Sequence, residues 1–373
     1  MSEGCIPEPR GAQSMSTIIS ILCRESCETI ILRRDSQKHT LCQRASKPSK
    51  LGLVKKILVT GAGGQIGINL TQRLLTEGHT VLAIDNHSTS LKSQLSSLAA
   101  SANLEIFQHD VGEPFPDLEG VQQIFHLAAP ASPIHYLAKP LETMRTIQLG
   151  TQHALDVATK NRATILIAST SEIYGEPLVH PQPEGYWGNV DPIGIRSCYK
   201  EAKRFAESLA VNHSRELGTS VRIARIFNTY GPGAFPKDGR VVNEFVRAAL
   251  SGKDLVLHAS GKQTRSFCYV SDLVEGLIAL ADSDYDVSPV NLGNPAESSV
   301  AELARLVIEV THSSSKLSFQ PGRADDPSRR SPDISLAKKI LGWSPKIDLR
   351  EGIEFTANWM ANRQCPSNST NQL

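Results

Sequence analysis

The chain has 373 residues, and its 39 Lys and Arg nearly balance 38 Asp and Glu, for a net charge of +1. A chain this long can bury one large core or two. A charge so close to neutral leaves no footprint for nucleic acid or an acidic membrane surface, and apolar runs such as 270–281 carry acids and are too short to span a bilayer.

Residues 1–52 come first and differ from the rest. They are basic, hold Cys5, Cys23, Cys27 and Cys42, and have few turn signals. Segments 16–24 and 29–34 predict two short strands. Cys23-x3-Cys27 followed by His39-x2-Cys42 superficially resembles a zinc site. The spacing fits no established ligand motif, so these are read as plain thiols with no metal. Seven cysteines without a disulfide framework predict a reducing, cytoplasmic setting. The apolar stretch 17–23 is too short for a secretory signal and acids follow it. The segment reads as a disordered extension ending at the break Lys47-Pro48-Ser49-Lys50.

From Lys55 onward strand and helix alternate. Strands are predicted at 56–60, 80–84, 104–108, 123–127, 164–168 and 221–226. Ile66, Leu70, Leu74 and Leu75 form a helical stripe, and longer helices are predicted over 141–159 and 199–217. This is an α/β chain, a Rossmann-type doubly wound parallel sheet. Beyond Asn228 the alternation loosens, with helices predicted at 272–282, 300–310 and 349–361. The reading places a Rossmann domain at 53–228, with 266–290 returning to it. A smaller C-terminal substrate-binding lobe takes 229–265 and 291–362, and 363–373 is a tail.

Gly61, Gly64 and Gly67 are spaced G-x-x-G-x-x-G between a strand and a helix. Glycines there let a pyrophosphate approach the backbone at the positive end of a helix. Gln65 and Ile66 belong to the same turn. Asp85 ends the next strand, 24 residues after Gly61, the offset of a carboxylate that binds an adenosine ribose. It would repel a 2′-phosphate, and Asn86-His87-Ser88-Thr89 offers no arginine for one, so NAD is favoured over NADP. Asp110 and Val111 follow the third strand, where a carboxylate can meet the adenine amino group. Leu127 and Ala129 follow the fourth, and the small residues there permit close cofactor approach. His126 reads as a packed core histidine.

Thr170, Ser171 and Glu172 end the strand 164–168, at the edge where an open α/β sheet places its ligands. Tyr199 follows 27 residues after Glu172, and Lys203 four residues later. On a helix that spacing puts phenol and amine on one face. Moving a tyrosine from about 10 to neutrality takes about 3 units, or about 4 kcal/mol. Lys203, with a positively charged nicotinamide, is expected to supply it, while Thr170 shares the substrate alcohol. There is no G-x-S-x-G elbow, no H-E-x-x-H and no Walker lysine after the glycine turn.

With these motifs the chain resembles the extended short-chain dehydrogenases/reductases that act on nucleotide sugars, from about Lys55 to about Trp359. Leu127-Ala128-Ala129-Pro130, Ser169-Thr170-Ser171-Glu172, His180-Pro181-Gln182, Asp238-Gly239-Arg240-Val241-Val242 and Pro332-Asp333-Ile334 look like its UDP-glucuronate decarboxylase branch. The resemblance implies that Tyr199 takes the proton of the sugar 4-hydroxyl while hydride passes from C4 to NAD. The 4-keto uronic acid then loses carbon dioxide, and C4 is reduced again. It also implies that Glu172 aids the proton steps and that Arg330 binds substrate. Arg145, Asn228, Arg240 and Arg265 fall at substrate positions too, and the partners implied are a nucleotide sugar and a second copy of the chain. Ser171 stands where 4,6-dehydratases carry an acid, which suits decarboxylation better than dehydration. A 4-epimerase, or a dehydratase, is the second enzyme reading, and a catalytically silent NAD-binding regulatory protein the third. Four departures from the pattern stand out: Ile147 for a usual Asn, Pro116 for a Tyr, Ser331 for a Lys, and Gly233-Ala234-Phe235-Pro236 for an arginine-containing stretch. The last three are expected in or near the substrate pocket.

Overall fold

The computed structural model describes residues 54–236, 238–285, 287–322 and 327–364, together with the strands Ile19–Leu22 and Thr29–Leu32. Contacts divide the chain into two units, 1–53 and 54–373. In the first, the two strands pair antiparallel, with Ile19 opposite Leu32. The Cys and His residues of the zinc-like pattern lie outside the described residues.

The second unit is built on seven strands: β1 (Lys56–Thr60), β2 (Thr80–Asp85), β3 (Leu104–Gln108), β4 (Gln123–His126), β5 (Thr164–Thr170), β6 (Val221–Ile226) and β7 (Pro289–Leu292). They lie in the order β7-β6-β5-β4-β1-β2-β3, and every pairing is parallel. A parallel sheet needs both faces covered, and β1 shows this in its side chains. Ile57 and Val59 point into one apolar cluster, Leu58 into the other. Helices α1 (Gln65–Thr76), α2 (Pro140–Asn161), α3 (Ser197–Leu217), α4 (Val241–Leu250), α5 (Val270–Ala281), α6 (Val300–Val310) and α7 (Leu349–Gln364) follow. Leu70 and Leu74 of α1 meet Leu273 and Leu277 of α5 in the first cluster. Ala154 and Leu155 of α2 close the second.

A third cluster gathers Phe245 and Val246 of α4, Leu303 and Val307 of α6, and Ile353 of α7. α6 starts from a capping box, Ser299 and Glu302 each accepting from the other's backbone N–H. Beside this cluster Thr264–Ser266 lies between Glu297–Ser299, antiparallel, and Arg329–Arg330, parallel. Residues 334–343 depart from the expected lobe. Ile334, Ala337 and Trp343 pack in the cluster against the sheet, and the Trp343 indole donates to Asp272 O at 2.9 Å. An amphipathic pattern says that one helix face is buried, not against which layer.

The glycine turn joins β1 to α1. Gly61 N donates to Ile84 O at 2.8 Å, which fastens the turn to β2, and Gly61 has a positive φ of 69°. A Cβ at Gly67 would lie 2.1 Å from Gly61 O. Gly67→Ala therefore has to push the turn open. It is expected to destabilise the protein by about 1–3 kcal/mol, seen as a lower melting temperature; an unchanged melting curve would show that the turn has room.

Candidate active site

The carboxyl ends of β1, β4, β5 and β6 open onto a cavity of about 360 Å³. One wall is the glycine turn, with Gly64 as N-cap of α1. Gly61, Gly64, Gln65, Ile66 and Gly67 line it, as do Leu127 and Ala129. A Cβ at Gly61 would sit 2.9 Å from the Ala128 backbone. A turn that excludes side chains, at the start of a helix, fits a dinucleotide diphosphate. Asp85 holds the turn from below: its carboxylate accepts from Gly63 N at 2.9 Å, His87 N at 2.7 Å and Ser90 Oγ at 2.8 Å. Asn86 Nδ2 donates to Asp110 Oδ2 at 2.9 Å, and Val111 is buried against the Gly150 side of α2. Asp85, Asn86, Asp110 and Val111 lie beyond the cavity wall, at the ends of β2 and β3. His126 is buried, bonded to Thr60 Oγ1 at 2.9 Å, and burial drives its pKa down to about 3.

The opposite wall carries hydroxyl, phenol and amine. β5 ends at Thr170, whose Oγ1 accepts from Glu172 N at 3.2 Å and starts a 3-10 turn over Ser171–Tyr174. α3 presents Tyr199 and Lys203 on its buried face, 5% and 4% exposed. Burial pushes the Tyr199 phenol up to about 12; a hydrogen bond with Thr170 opposes this, Glu172 adds to it, and Arg240 and Arg330 pull it down. Burial brings Lys203 down to about 8, and its Nζ donates to Ala168 O at 2.7 Å. In the unliganded protein desolvation is the largest influence on both groups, and the nicotinamide charge expected to act with Lys203 is not among those that offset it. Behind Tyr199, the Tyr136 ring stacks at 4.9 Å and 4°.

Glu172 is the electrostatic centre. Its Oε1 accepts from Arg330 Nη1 at 2.8 Å and from Arg196 Nη2 at 3.2 Å. Burial alone would raise its carboxyl; Arg330 and then Arg196 more than offset that and hold it well below the usual carboxylate range. Glu172 Oε2 and Arg330 Nη2 are buried with no partner among the described residues. Arg330 reaches this position on its short strand beside Arg265. Asn228, Arg240, Arg265 and Arg330 all line the cavity. Arg145 does not. It is 69% exposed and faces Glu113 at 3.8 Å, because α2 turns Thr143 and Ile147 inward instead. Of the substrate-side departures only Phe235 reaches the cavity, its ring meeting His135 edge-on at 5.8 Å. Pro116 is exposed, and Ser331 is buried, bonded to Pro295 O at 3.1 Å.

Three residues of the site escaped the sequence reading. Arg196 donates through Nε to Tyr136 Oη at 2.6 Å while pairing Glu172. Tyr136 supports the Tyr199 ring. Gln182, fully buried, accepts from Ser331 N at 3.0 Å through Oε1, and its N–H donates to Ser331 O at 2.9 Å. It fixes the backbone next to Arg330. The motif His180-Pro181-Gln182 was visible in the sequence; its burial was not.

A depressed carboxylate contributes stability that is present above its unfolded value, 4.5, and is lost as pH falls through the lower folded value. Glu172→Gln lacks that contribution. Its melting temperature is expected to decline less steeply than wild type below about pH 4.5; parallel acid limbs would mean that Glu172 titrates normally.

Residues 57–293 match the model of the NAD dependent epimerase/dehydratase family. UDP-glucuronic acid decarboxylase 1 of Arabidopsis thaliana is 50% identical over 308 residues, 83% of this chain and 70% of that protein. UDP-glucuronic acid decarboxylase 1 of Xenopus tropicalis is 47% identical over 305 residues, 82% of this chain and 72% of that protein. Among solved structures, the UDP-glucose 4-epimerase of Thermotoga maritima with UDP-glucose superposes with a TM-score of 0.76 at 26% identity, covering 83% of this chain and 99% of its own. The matched span holds the glycine turn, Thr170, Glu172, Tyr199 and Lys203, and this chain belongs to the NAD dependent epimerase/dehydratase family.

Proposed function

We propose that this chain is an NAD-dependent UDP-glucuronate decarboxylase that forms UDP-xylose and carbon dioxide through a 4-keto intermediate. One observation carries the reading beyond the family: Arg330, bonded to Glu172 through Nη1, keeps Nη2 buried at the cavity wall without a partner among the described residues. A guanidinium with a free N–H suits a substrate carboxylate, the group that must be held and then lost. The likeness to decarboxylases at 50% and 47% identity supports the same substrate.

Bound NAD supplies the acceptor and donor of the C4 hydride and a positive ring charge. Tyr199 takes the 4-hydroxyl proton, and the hydrogen bond from Thr170, which favours its ionised form, assists. With its phenol at about 12, ionisation at pH 7 ahead of substrate would require about 7 kcal/mol. Deprotonation therefore waits for substrate and cofactor charge. With C4 a ketone, the bond from C5 to the carboxylate breaks, its electrons enter the enolate, and a proton returns to C5. Glu172, held ionised, orients Arg330 and a water or ring hydroxyl for these steps. Ser171 offers no acid for expelling a hydroxyl, which weighs against dehydration. The same reading includes a homodimer through α2 and α3, whose Leu141, Met144 and Phe205 are exposed. A reducing, cytoplasmic setting fits the free thiols of Cys198 and Cys268.

Purified protein given UDP-glucuronate and NAD is expected to release carbon dioxide and UDP-xylose; UDP-galacturonate without carbon dioxide would replace the reading with an epimerase. Tyr199→Phe is expected to lose turnover while binding NAD as wild type does, and wild-type turnover in that variant would remove Tyr199 as the base.

A further inference from the structure

Gln65 stands at the start of α1, directly after the glycine turn, where sequence spacing assigns it to the cofactor. Its side chain goes elsewhere. It is 7% exposed, its Nε2 donates to Gly231 O at 2.7 Å, and its Oε1 accepts from Arg240 Nη1 at 3.0 Å. Both partners lie in the segment that leads into α4, on the substrate side of the cavity. Among the described residues, Gln65 is the one side-chain hydrogen-bond partner of the Arg240 guanidinium, and Asp238 forms an ion pair with its Nε at the longer distance of 3.7 Å. The Arg240 side chain is 32% exposed.

The chemistry of the amide fits this double contact. An amide donates to a carbonyl and accepts from a guanidinium at once, and it stays neutral. A carboxylate would face the Gly231 carbonyl with charge and would cancel that of Arg240. An alkyl side chain would leave both partners unsatisfied. With a neutral acceptor at Nη1, Arg240 is held in place with no second carboxylate beside Asp238, and Nη2 keeps its N–H donors for an anion.

We propose that Gln65 is a positioning residue for substrate: it holds Arg240 against the cavity so that the guanidinium meets the diphosphate of the nucleotide sugar. This rests on the nucleotide-sugar reading above. The backbone of Gln65 belongs to the cofactor turn and its side chain serves the other ligand.

Asn69 also ties α1 to this segment, donating to Pro232 O at 3.0 Å, so the segment stays seated when Gln65 is replaced. Calorimetry with UDP and, separately, with NAD tests the assignment on wild type, Gln65→Met, Arg240→Ala and the double variant. Gln65→Met is expected to weaken UDP about tenfold, the loss of one charge-assisted hydrogen bond, and to leave NAD affinity unchanged. In the Arg240→Ala background it is expected to add nothing, since both act through one contact. Gln65→Asn keeps the amide but falls a methylene short, and it gives the same pattern should Gln65→Met fail to fold. Unchanged UDP affinity, an equal loss of NAD affinity, or additive effects would overturn the assignment alone. A wild type that binds NAD but not UDP would overturn the functional reading and the assignment with it.

Discussion

A carboxylate buried between two guanidinium groups is the constraint on which the cavity depends. Glu172, with its side chain 13% exposed, lies against Arg330 and Arg196. These come from the end of β5, the residue before α3, and an edge strand of the smaller lobe. Burying a lone carboxylate would cost several kcal/mol, so these segments are stable in this arrangement only together. A buried ion pair adds little net stability over an apolar replacement. Its value here is geometric: it fixes Arg330 at the cavity wall with Nη2 left without a partner among the described residues.

The same charges act on the phenol, after burial and the Thr170 hydrogen bond. Glu172 raises Tyr199, while Arg330 and Arg240 lower it. A ligand that engages the arginines therefore reaches the base through the field as well as through contact. Tyr136 stacks behind the ring and is itself tied to Arg196, so the base, its support and the carboxylate move as one polar group. Rigid placement of this kind matters more for proton transfer than the resting pKa of any one member.

Much of the fold was legible because its signals are local. The apolar run of β1, the glycine turn and the four-residue spacing of Tyr199 and Lys203 are each readable within a short window. The arginines at the cavity came from resemblance, since no periodicity marks them. Gln182 and Ser331 are 149 residues apart, and Gln65 and Arg240 are 175 apart. Contacts of that range are invisible in a window, so neither the burial of Gln182 nor the side-chain partners of Gln65 could be read there. Arg145 is different, because its signal was available. Thr143 and Ile147 fix the inward phase of α2, and a residue midway between them on a 3.6-residue helix faces outward.

Ile147 shows how a departure from the family pattern acts physically. It is 1% exposed and packs in one cluster with Tyr136, Tyr199 and Ala202. An amide at that position would bring a polar partner behind the base; the isoleucine brings none. Thr170, Arg240 and Arg330 oppose desolvation of the phenol, and Glu207 opposes that of the amine, whose Nζ also donates to Ala168 O. Burial still heads the causes for both Tyr199 and Lys203. Ile147 thus adds apolar cover to the base and no hydrogen-bond partner.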